Sequence, residues 1–171
     1  TNVTEDDQRK KLEKNNGEVE LSNINFENLE KLYEPVKLSY DFTSYDAVEE
    51  IGGKLYLSPL SFFALKETPF KEDTRNYPID FGYPLKDRHL FTINIPEGYT
   101  VETMPESTAF SLGQRSGEFR YAITNKNNVI QISMELSIND PFISAEAYGG
   151  LKKFYELLVE KENEKIVLVK A

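Results

Sequence analysis

Residues 130–138 read Ile-Gln-Ile-Ser-Met-Glu-Leu-Ser-Ile, and this stretch decides the fold class of the chain. Apolar side chains alternate strictly with polar ones, which is the pattern of a β-strand that buries one face. The same alternation recurs in residues 91–95 and 119–124. Because clean alternation is typical of antiparallel sheets with one face in water, the sequence predicts a mainly β, antiparallel fold.

Two further segments extend this interpretation. Residues 36–43 alternate as well, and they predict a strand that buries Val36, Leu38, Tyr40 and Phe42 on one face. The polar run 125–128, Asn-Lys-Asn-Asn, separates two alternating segments. Asparagine tolerates the left-handed backbone of tight turns, so the sequence predicts a hairpin over residues 119–138.

One segment near the end of the chain has helical rather than strand periodicity. Between Ala145 and Lys161 the large apolar residues gather on one side of a helical wheel, and Ser144 is the expected N-cap. Gly149 and Gly150 oppose a helix by about 1 kcal/mol each. Burial of each large apolar side chain gains about 1.5–3 kcal/mol, so the helix is favoured. The expected fold is an antiparallel β-sandwich-like domain with one C-terminal α-helix packed on a sheet.

The chain divides into a polar N-terminal segment and one long folded region. Residues 1–16 are nearly all charged or amide-bearing, with Leu12 the one large apolar residue after Thr4, and they are expected to form a linker or a frayed helix. Residues 17–171 are expected to form a single β-sandwich-like accessory domain. No run of about 20 apolar residues and no signal-peptide centre is found, so no membrane insertion is expected.

The charge and the cysteine content exclude several classes of function. Acidic side chains outnumber basic ones by 29 to 20, and the formal net charge is -9. Such a chain repels phosphate backbones, so nucleic acid is not an expected partner. The absence of cysteine excludes disulfides, thiolate metal sites and a cysteine nucleophile. A cysteine-free domain of this size fits the cytoplasm and the periplasm equally well.

The residues that could carry chemistry favour structural roles. His89 is the one histidine, and its place at a strand edge predicts a structural or solvated side chain. The acidic pairs Asp6-Asp7 and Glu49-Glu50 are expected to be solvated. The pair Gly52-Gly53 is expected to form a turn before a strand. The sequence therefore predicts no catalytic residue, no metal ligand and no cofactor, although an enzyme built on scattered carboxylates stays open.

The aromatic clusters are the feature with a binding alternative. They comprise Phe62-Phe63 and the set Phe70, Tyr77, Phe81 and Tyr83. Most of these rings are expected in the core, because the chain has no tryptophan to fill its interior. If they are exposed, such rings can stack on sugars or grip an extended peptide.

Several segments together resemble a domain found at the C-terminal end of bacterial transglutaminase-like proteins. The likeness spans residues 17–171 and depends on the order of the segments. They are residues 55–59 (LYLSP), 75–84 (RNYPIDFGYP), 95–99 (IPEGY), 101–106 (VETMPE), 148–155 (YGGLKKFY) and 166–170 (IVLVK).

The resemblance implies a context but no site. In proteins of that architecture a papain-like core with a Cys-His-Asp triad precedes this domain, and the setting is the periplasm or cell envelope. None of the triad can be carried over to a chain that lacks cysteine. The expected function is a non-catalytic accessory domain, structural or binding, whose partner is the upstream transglutaminase-like domain of the same chain. The alternative is an independent carbohydrate- or peptide-binding β-sandwich module that uses an aromatic surface.

Overall fold

The computed structural model describes residues 19–171, which form two compact units. The first unit comprises the described residues up to Val48 together with Ser61–Phe63, and the second comprises Glu49–Leu60 and Ala64–Ala171. The linker or frayed helix expected over residues 1–16 lies outside the described residues. The expectation of a single domain over 17–171 stays a prediction.

The first unit is a β-hairpin of two long strands. Strand β1 (Val19–Glu27) pairs antiparallel with strand β2 (Lys37–Ser44), and Leu21 lies opposite Phe42. The register shifts between Ser22 and Asn25, where Asn23 has a positive φ of 52°. This β-bulge makes β1 irregular, whereas β2 is regular along its length.

The expected burial of the 36–42 face is wrong. Val36, Leu38 and Phe42 are exposed, although the strand itself forms as predicted. The Phe42 ring makes an edge-to-face contact with Phe62, with the ring centroids 5.0 Å apart. Alternation indicates which side chains share a face of a strand, but it carries no information on what covers that face.

The remaining strands and the helix follow in chain order, and a short 3-10 helix at Ser61–Phe63 interrupts them. The bounds are β3 (Val48–Ile51), β4 (Lys54–Leu57), β5 (Ile79–Asp80), β6 (Leu85–Asn94), β7 (Tyr99–Thr103), β8 (Thr108–Leu112), β9 (Gly117–Lys126), β10 (Val129–Ile138), β11 (Phe142–Ile143), α1 (Tyr148–Glu162) and β12 (Ile166–Lys170).

The larger antiparallel sheet has the strand order β6-β10-β9-β8, with the predicted hairpin at its centre. In the β9–β10 pair, Lys126 lies opposite Val129 at one end and Gly117 lies opposite Ile138 at the other. Asn127 and Asn128 form the turn. Both asparagines have positive φ, at 53° and 59°. This is the backbone of a type I′ turn, which matches the twist of the two strands. The hairpin prediction is confirmed.

A second four-stranded antiparallel sheet has the order β3-β4-β12-β7. Gly52 and Gly53, with φ of 60° and 78°, form the turn between β3 and β4 as predicted. The last strand of the chain, β12, lies between β4 and β7. The strands β5 and β11 form a separate, short antiparallel ribbon.

The core of the second unit joins both four-stranded sheets to α1. β9 and β10 contribute Phe119, Tyr121, Ile130 and Ile132, and β12 contributes Ile166. The buried residues of α1 are Tyr148, Leu151, Phe154, Tyr155, Leu158 and Glu162. The predicted fold class, mainly β and antiparallel with one C-terminal helix packed on a sheet, is confirmed.

The start of the helix differs from its prediction. α1 begins at Tyr148 rather than Ala145, and its N-cap is Ala147, which makes no side-chain capping bond. Ser144 is not the cap, because it lies four residues before the start of α1, in a turn where its carbonyl accepts from Ala147 N–H at 3.1 Å. Burial of the apolar face stabilises α1 without a side-chain cap.

Candidate functional site

The four aromatic residues of the set 70–83 divide into two buried or partly buried rings and two exposed ones. Phe70 is buried and Phe81 packs against the core. Tyr77 and Tyr83 are 80% and 70% exposed. Phe142, which the sequence analysis did not single out, is 54% exposed. We call Tyr77, Tyr83 and Phe142 the aromatic surface.

The ribbon of β5 and β11 positions Phe142, and Tyr77 and Tyr83 lie on either side of β5 in the sequence. Ile79 lies opposite Ile143, and Asp80 lies opposite Phe142. Because side chains alternate between the two faces of a strand, the two isoleucines share the face toward the core and Asp80 shares the outer face with Phe142. Ile143 is buried and Ile79 is partly buried, which agrees with that assignment.

Two aspartates hold the backbone around these rings. Asp80 Oδ1 accepts from Gly82 N–H at 2.8 Å, and Asp140 Oδ1 accepts from Phe142 N–H at 3.1 Å. Each is a local turn in which a carboxylate bonds the backbone two residues on. Phe81 N–H also donates to the carbonyl of Pro141 at 2.8 Å. Phe142 and the residue before Tyr83 are therefore held by hydrogen bonds of their backbone N–H groups to carboxylates.

The side chains of this arrangement can make two kinds of contact with a ligand. Exposed aromatic faces can stack on sugar rings or cover apolar side chains. The carboxylates of Asp80 and Asp140 can accept hydrogen bonds from hydroxyl or amide groups of a ligand. Phe142 could have been found in the sequence, because it follows the turn-forming run 139–141, Asn-Asp-Pro.

His89 lies on β6 in contact with two neighbours on its own strand. Its Nε2 is 3.1 Å from Asp87 Oδ2. Its ring is stacked on Phe91 with an interplanar angle of 13° and a centroid distance of 5.9 Å. Both contacts fix the orientation of the imidazole.

Glu162 is the one buried charged residue found in residues 19–171, and it was not singled out from the sequence. It ends α1, is 5% exposed, and accepts from Leu65 N–H through Oε2 at 2.7 Å. Burial raises the pKa of Glu162 to about 7, and Asp87 adds to this rise, while the Leu65 hydrogen bond and His89 oppose it. Sequence alone carried no signal for this burial, because it depends on the tertiary position of Leu65.

Glu162 and the next residue together hold the segment around Leu65. Asn163 Nδ2 donates to the Leu65 carbonyl at 2.8 Å and to the Val159 carbonyl at 2.7 Å. Both backbone groups of Leu65 are therefore bound by the C-terminal end of α1. This geometry fastens a loop to a helix.

The other candidates from the sequence are placed as follows. Glu49 forms an ion pair with Lys165 at 2.9 Å, and Glu50 is exposed. Asp6-Asp7 lies outside the described residues. Over residues 19–171, no group of three or more histidine and acidic side chains is placed to hold a metal ion. The same residues include no helix long and apolar enough to cross a membrane.

The outer face of the larger sheet carries a shallow depression of about 370 Å³. Leu90, Thr92, Thr124, Gln131 and Ser133 contribute to its lining. None of these is charged, and the depression is less well equipped for recognition than the aromatic surface.

Comparison with known proteins gives one family and one distant structural likeness. A family described as a Domain of Unknown Function with a solved structure, DUF3858, matches residues 53–168. No curated protein matches the sequence. A crystal structure of "a putative protease" from Parabacteroides distasonis ATCC 8503 is similar at 14% identity with a TM-score of 0.49. The likeness covers 57% of this chain and 19% of that one.

Proposed function

This chain belongs to the DUF3858 family, and from that premise we propose that it is a non-catalytic accessory domain of a larger bacterial protein. In this proposal it follows a transglutaminase-like catalytic core and contributes binding or structure rather than chemistry. The order of segments that resembles the C-terminal domain of such proteins supports the core's identity. The same resemblance supports a setting in the periplasm or cell envelope.

The observation that carries the proposal is the aromatic surface. Tyr77, Tyr83 and Phe142 stand exposed within the residues that the family model covers. Aromatic residues are enriched where proteins contact one another, because each ring contributes a large area at little loss of conformational entropy. A surface of three exposed rings is therefore suited to contact the upstream domain.

The first experiment identifies the upstream partner. The coding sequence immediately upstream should encode a cysteine followed by a histidine and an aspartate in papain-like order. An unrelated fold at that place would remove the support for the transglutaminase-like core.

The second experiment tests the surface. The upstream domain and this chain are expressed as separate proteins, and binding is measured by calorimetry. The double variant Y77A/Y83A is expected to bind about thirty-fold more weakly, because each of the two lost hot-spot rings costs about 1 kcal/mol. The control is Y33A, which removes a 99% exposed ring from the first unit. Equal binding by Y77A/Y83A and the wild type would refute a docking role for this surface.

The alternative is an independent carbohydrate- or peptide-binding module that uses the same rings. The exposure of Tyr77 and Tyr83, with Asp80 between them in sequence, is the specific observation in its favour. NMR shift mapping with neutral oligosaccharides and with extended peptides discriminates the two functions. Saturable shifts at Gly82 and Phe142 in the isolated chain would favour the alternative.

A further inference from the structure

The outer edge of β2 is the most regular unpaired strand edge in the first unit. Within residues 19–171, β2 pairs with β1 alone. A strand edge presents a row of backbone N–H and C=O groups that can pair with another strand. β2 has eight residues and no bulge, and Pro35 precedes it rather than interrupting it. Neither a bulge nor a proline interrupts β2, whereas β1 has a bulge at Asn23.

The side chains along this edge are apolar on one face and exposed. Val36, Leu38 and Phe42 are all exposed, and Tyr40 lies on the same face. Two-stranded hairpins are marginally stable in water, and a third or fourth strand stabilises them. The hairpin therefore gains from any strand that continues its sheet.

We propose that the edge of β2 pairs antiparallel with β2 of a second copy of this chain, forming a continuous four-stranded sheet around a twofold axis at Ser39. This proposal concerns the first unit and does not depend on the function proposed for the aromatic surface.

Charge complementarity along the strand selects this partner and this register. Lys37 and Asp41 are the charged residues of β2. In an antiparallel pair centred on Ser39, Lys37 of each copy lies opposite Asp41 of the other. Opposite charges directly across a ladder stabilise the pairing, and this arrangement provides two such pairs.

The apolar face agrees with the same register. Leu38 then lies opposite Tyr40, and Val36 lies opposite Phe42. A pairing centred on Asp41 instead places two carboxylates directly opposite each other, which is destabilising. A pairing centred on Tyr40 leaves both charged residues opposite neutral ones.

The contacts of Lys37 and Asp41 within their own hairpin leave both side chains able to pair with the second copy. Lys37 Nζ is 3.8 Å from Glu27 Oε2, and both side chains are more than half exposed. Such a long exposed ion pair contributes little. Asp41 accepts from Asn23 through Oδ2 at 2.6 Å, so its other oxygen is available to a second partner.

The first test is sedimentation velocity of the complete chain over a range of concentrations reaching millimolar. The wild type is expected to self-associate. D41K brings like charges together and is expected to weaken association about ten-fold, as is K37D. The exchange variant K37D/D41K restores both opposite-charge pairs and is expected to recover most of the affinity.

The matched control is E97K, which makes the same change of charge at an exposed turn of the second unit. It is expected to associate as the wild type does. Circular dichroism of every variant separates lost association from lost folding. A chain that stays monomeric at millimolar concentration, or association that D41K and K37D leave unchanged, would overturn the proposal.

The second test traps the register covalently. The chain has no cysteine, so any disulfide must come from an introduced residue. In the proposed pairing the two copies of residue 39 face each other at a Cα separation of about 4.5–5.5 Å, within the disulfide range of about 4.4–6.8 Å. S39C is therefore expected to form a cross-linked dimer on mild oxidation.

T43C is the control for this test. Each copy of residue 43 lies four residues from the axis, so the two are roughly 27 Å apart at about 3.4 Å per residue. No efficient cross-link is expected. Equal cross-linking of T43C and S39C, or none by either variant, would contradict the register centred on Ser39.

Discussion

Glu162 Oε2 lies 2.7 Å from the backbone nitrogen of Leu65, and this bond joins the last residue of α1 to a loop almost a hundred positions earlier. The carboxylate is buried at the C-terminal end of a helix, where the helix dipole also disfavours a negative charge. Burial holds the pKa of Glu162 at about 7. The group therefore changes its protonation within the physiological pH range, and the stability of the second unit should follow that change.

The first prediction concerns the pH dependence of stability. The pKa of Glu162 is raised from 4.5 to about 7 on folding. Between these pH values the folded chain holds a proton that the unfolded chain has released. The contribution of Glu162 to the free energy of unfolding is therefore fully present below about pH 4.5 and is lost as the pH rises through 7. The size of this contribution is on the order of 3 kcal/mol, at about 1.36 kcal/mol per pKa unit.

E162Q removes this titration and keeps an oxygen that can accept from Leu65. Urea denaturation at pH 5 and at pH 8 gives the free energy of unfolding at each pH. Its decrease from pH 5 to pH 8 should be smaller for E162Q than for the wild type. All other residues are the same in the two proteins, so the difference between the two profiles isolates Glu162. Parallel profiles would show that Glu162 has an ordinary pKa.

The second prediction concerns Tyr121. Its hydroxyl is buried and has no hydrogen-bond partner among the described residues. Burial raises the pKa of Tyr121 to about 12. Because an unsatisfied buried hydroxyl costs about 1–3 kcal/mol, Y121F should unfold at equal or higher urea concentration.

Y148F is the matched control, because the Tyr148 hydroxyl donates to the carbonyl of Glu72 at 2.8 Å. It should lose about 1 kcal/mol. A loss of that size in Y121F as well would mean that the Tyr121 hydroxyl has a partner, such as a buried water.

The third prediction compares two glycines. A Cβ at Gly117 would lie 2.8 Å from the carbonyl oxygen of Ser137 and 3.1 Å from Ile138 Cδ1. The backbone of the neighbouring strand β10 would have to shift, so G117A should lose about 1–3 kcal/mol. At Gly149 in the first turn of α1 nothing lies within 4 Å of the added atom. G149A should gain up to about 1 kcal/mol from helix propensity. Chemical denaturation of both variants checks the pair, and a stable G117A would contradict the close approach.

The fourth prediction concerns His89. The purified chain should show no transamidation, amidase or esterase activity above buffer with small amide and ester substrates. H89A should leave that result unchanged and lower stability by less than about 1 kcal/mol, because the contact between His89 and Asp87 is partly exposed. Turnover that disappears in a folded H89A would contradict the proposed non-catalytic role.

Much of the fold could be predicted because local periodicity determines it. The alternation of residues 130–138 and the asparagines at 127–128 identify β10 and its turn without any tertiary information. Prediction from the sequence fails where tertiary contacts determine where an element begins or which face is buried. Ser144 is a suitable cap by residue type, yet α1 begins three residues further on than expected. The side chains of Val36 and Leu38 are correctly predicted to share one face, but the exposure of that face depends on what packs against it.

The candidate site was predictable only in part, for the same reason. Tyr77 and Tyr83 were identified by residue type, while Phe70 and Phe81 from the same set are core residues. Phe142 joins the surface because β11 pairs with β5 across a long stretch of chain. The burial of Glu162 arises from the position of Leu65, which periodicity within α1 cannot indicate.

The two-residue turn at Asn127 and Asn128 has a consequence for how quickly the larger sheet can assemble. It brings β9 and β10 together by closing a very short loop, an event that takes about 1–10 μs in isolated hairpins. β6 joins the other side of β10, and its nearest paired residue, Asn94, lies 35 positions before Val129. That pairing closes a much longer loop at a higher entropic cost. In the folding transition state, β9 and β10 should therefore already be paired, while β6 docks afterwards.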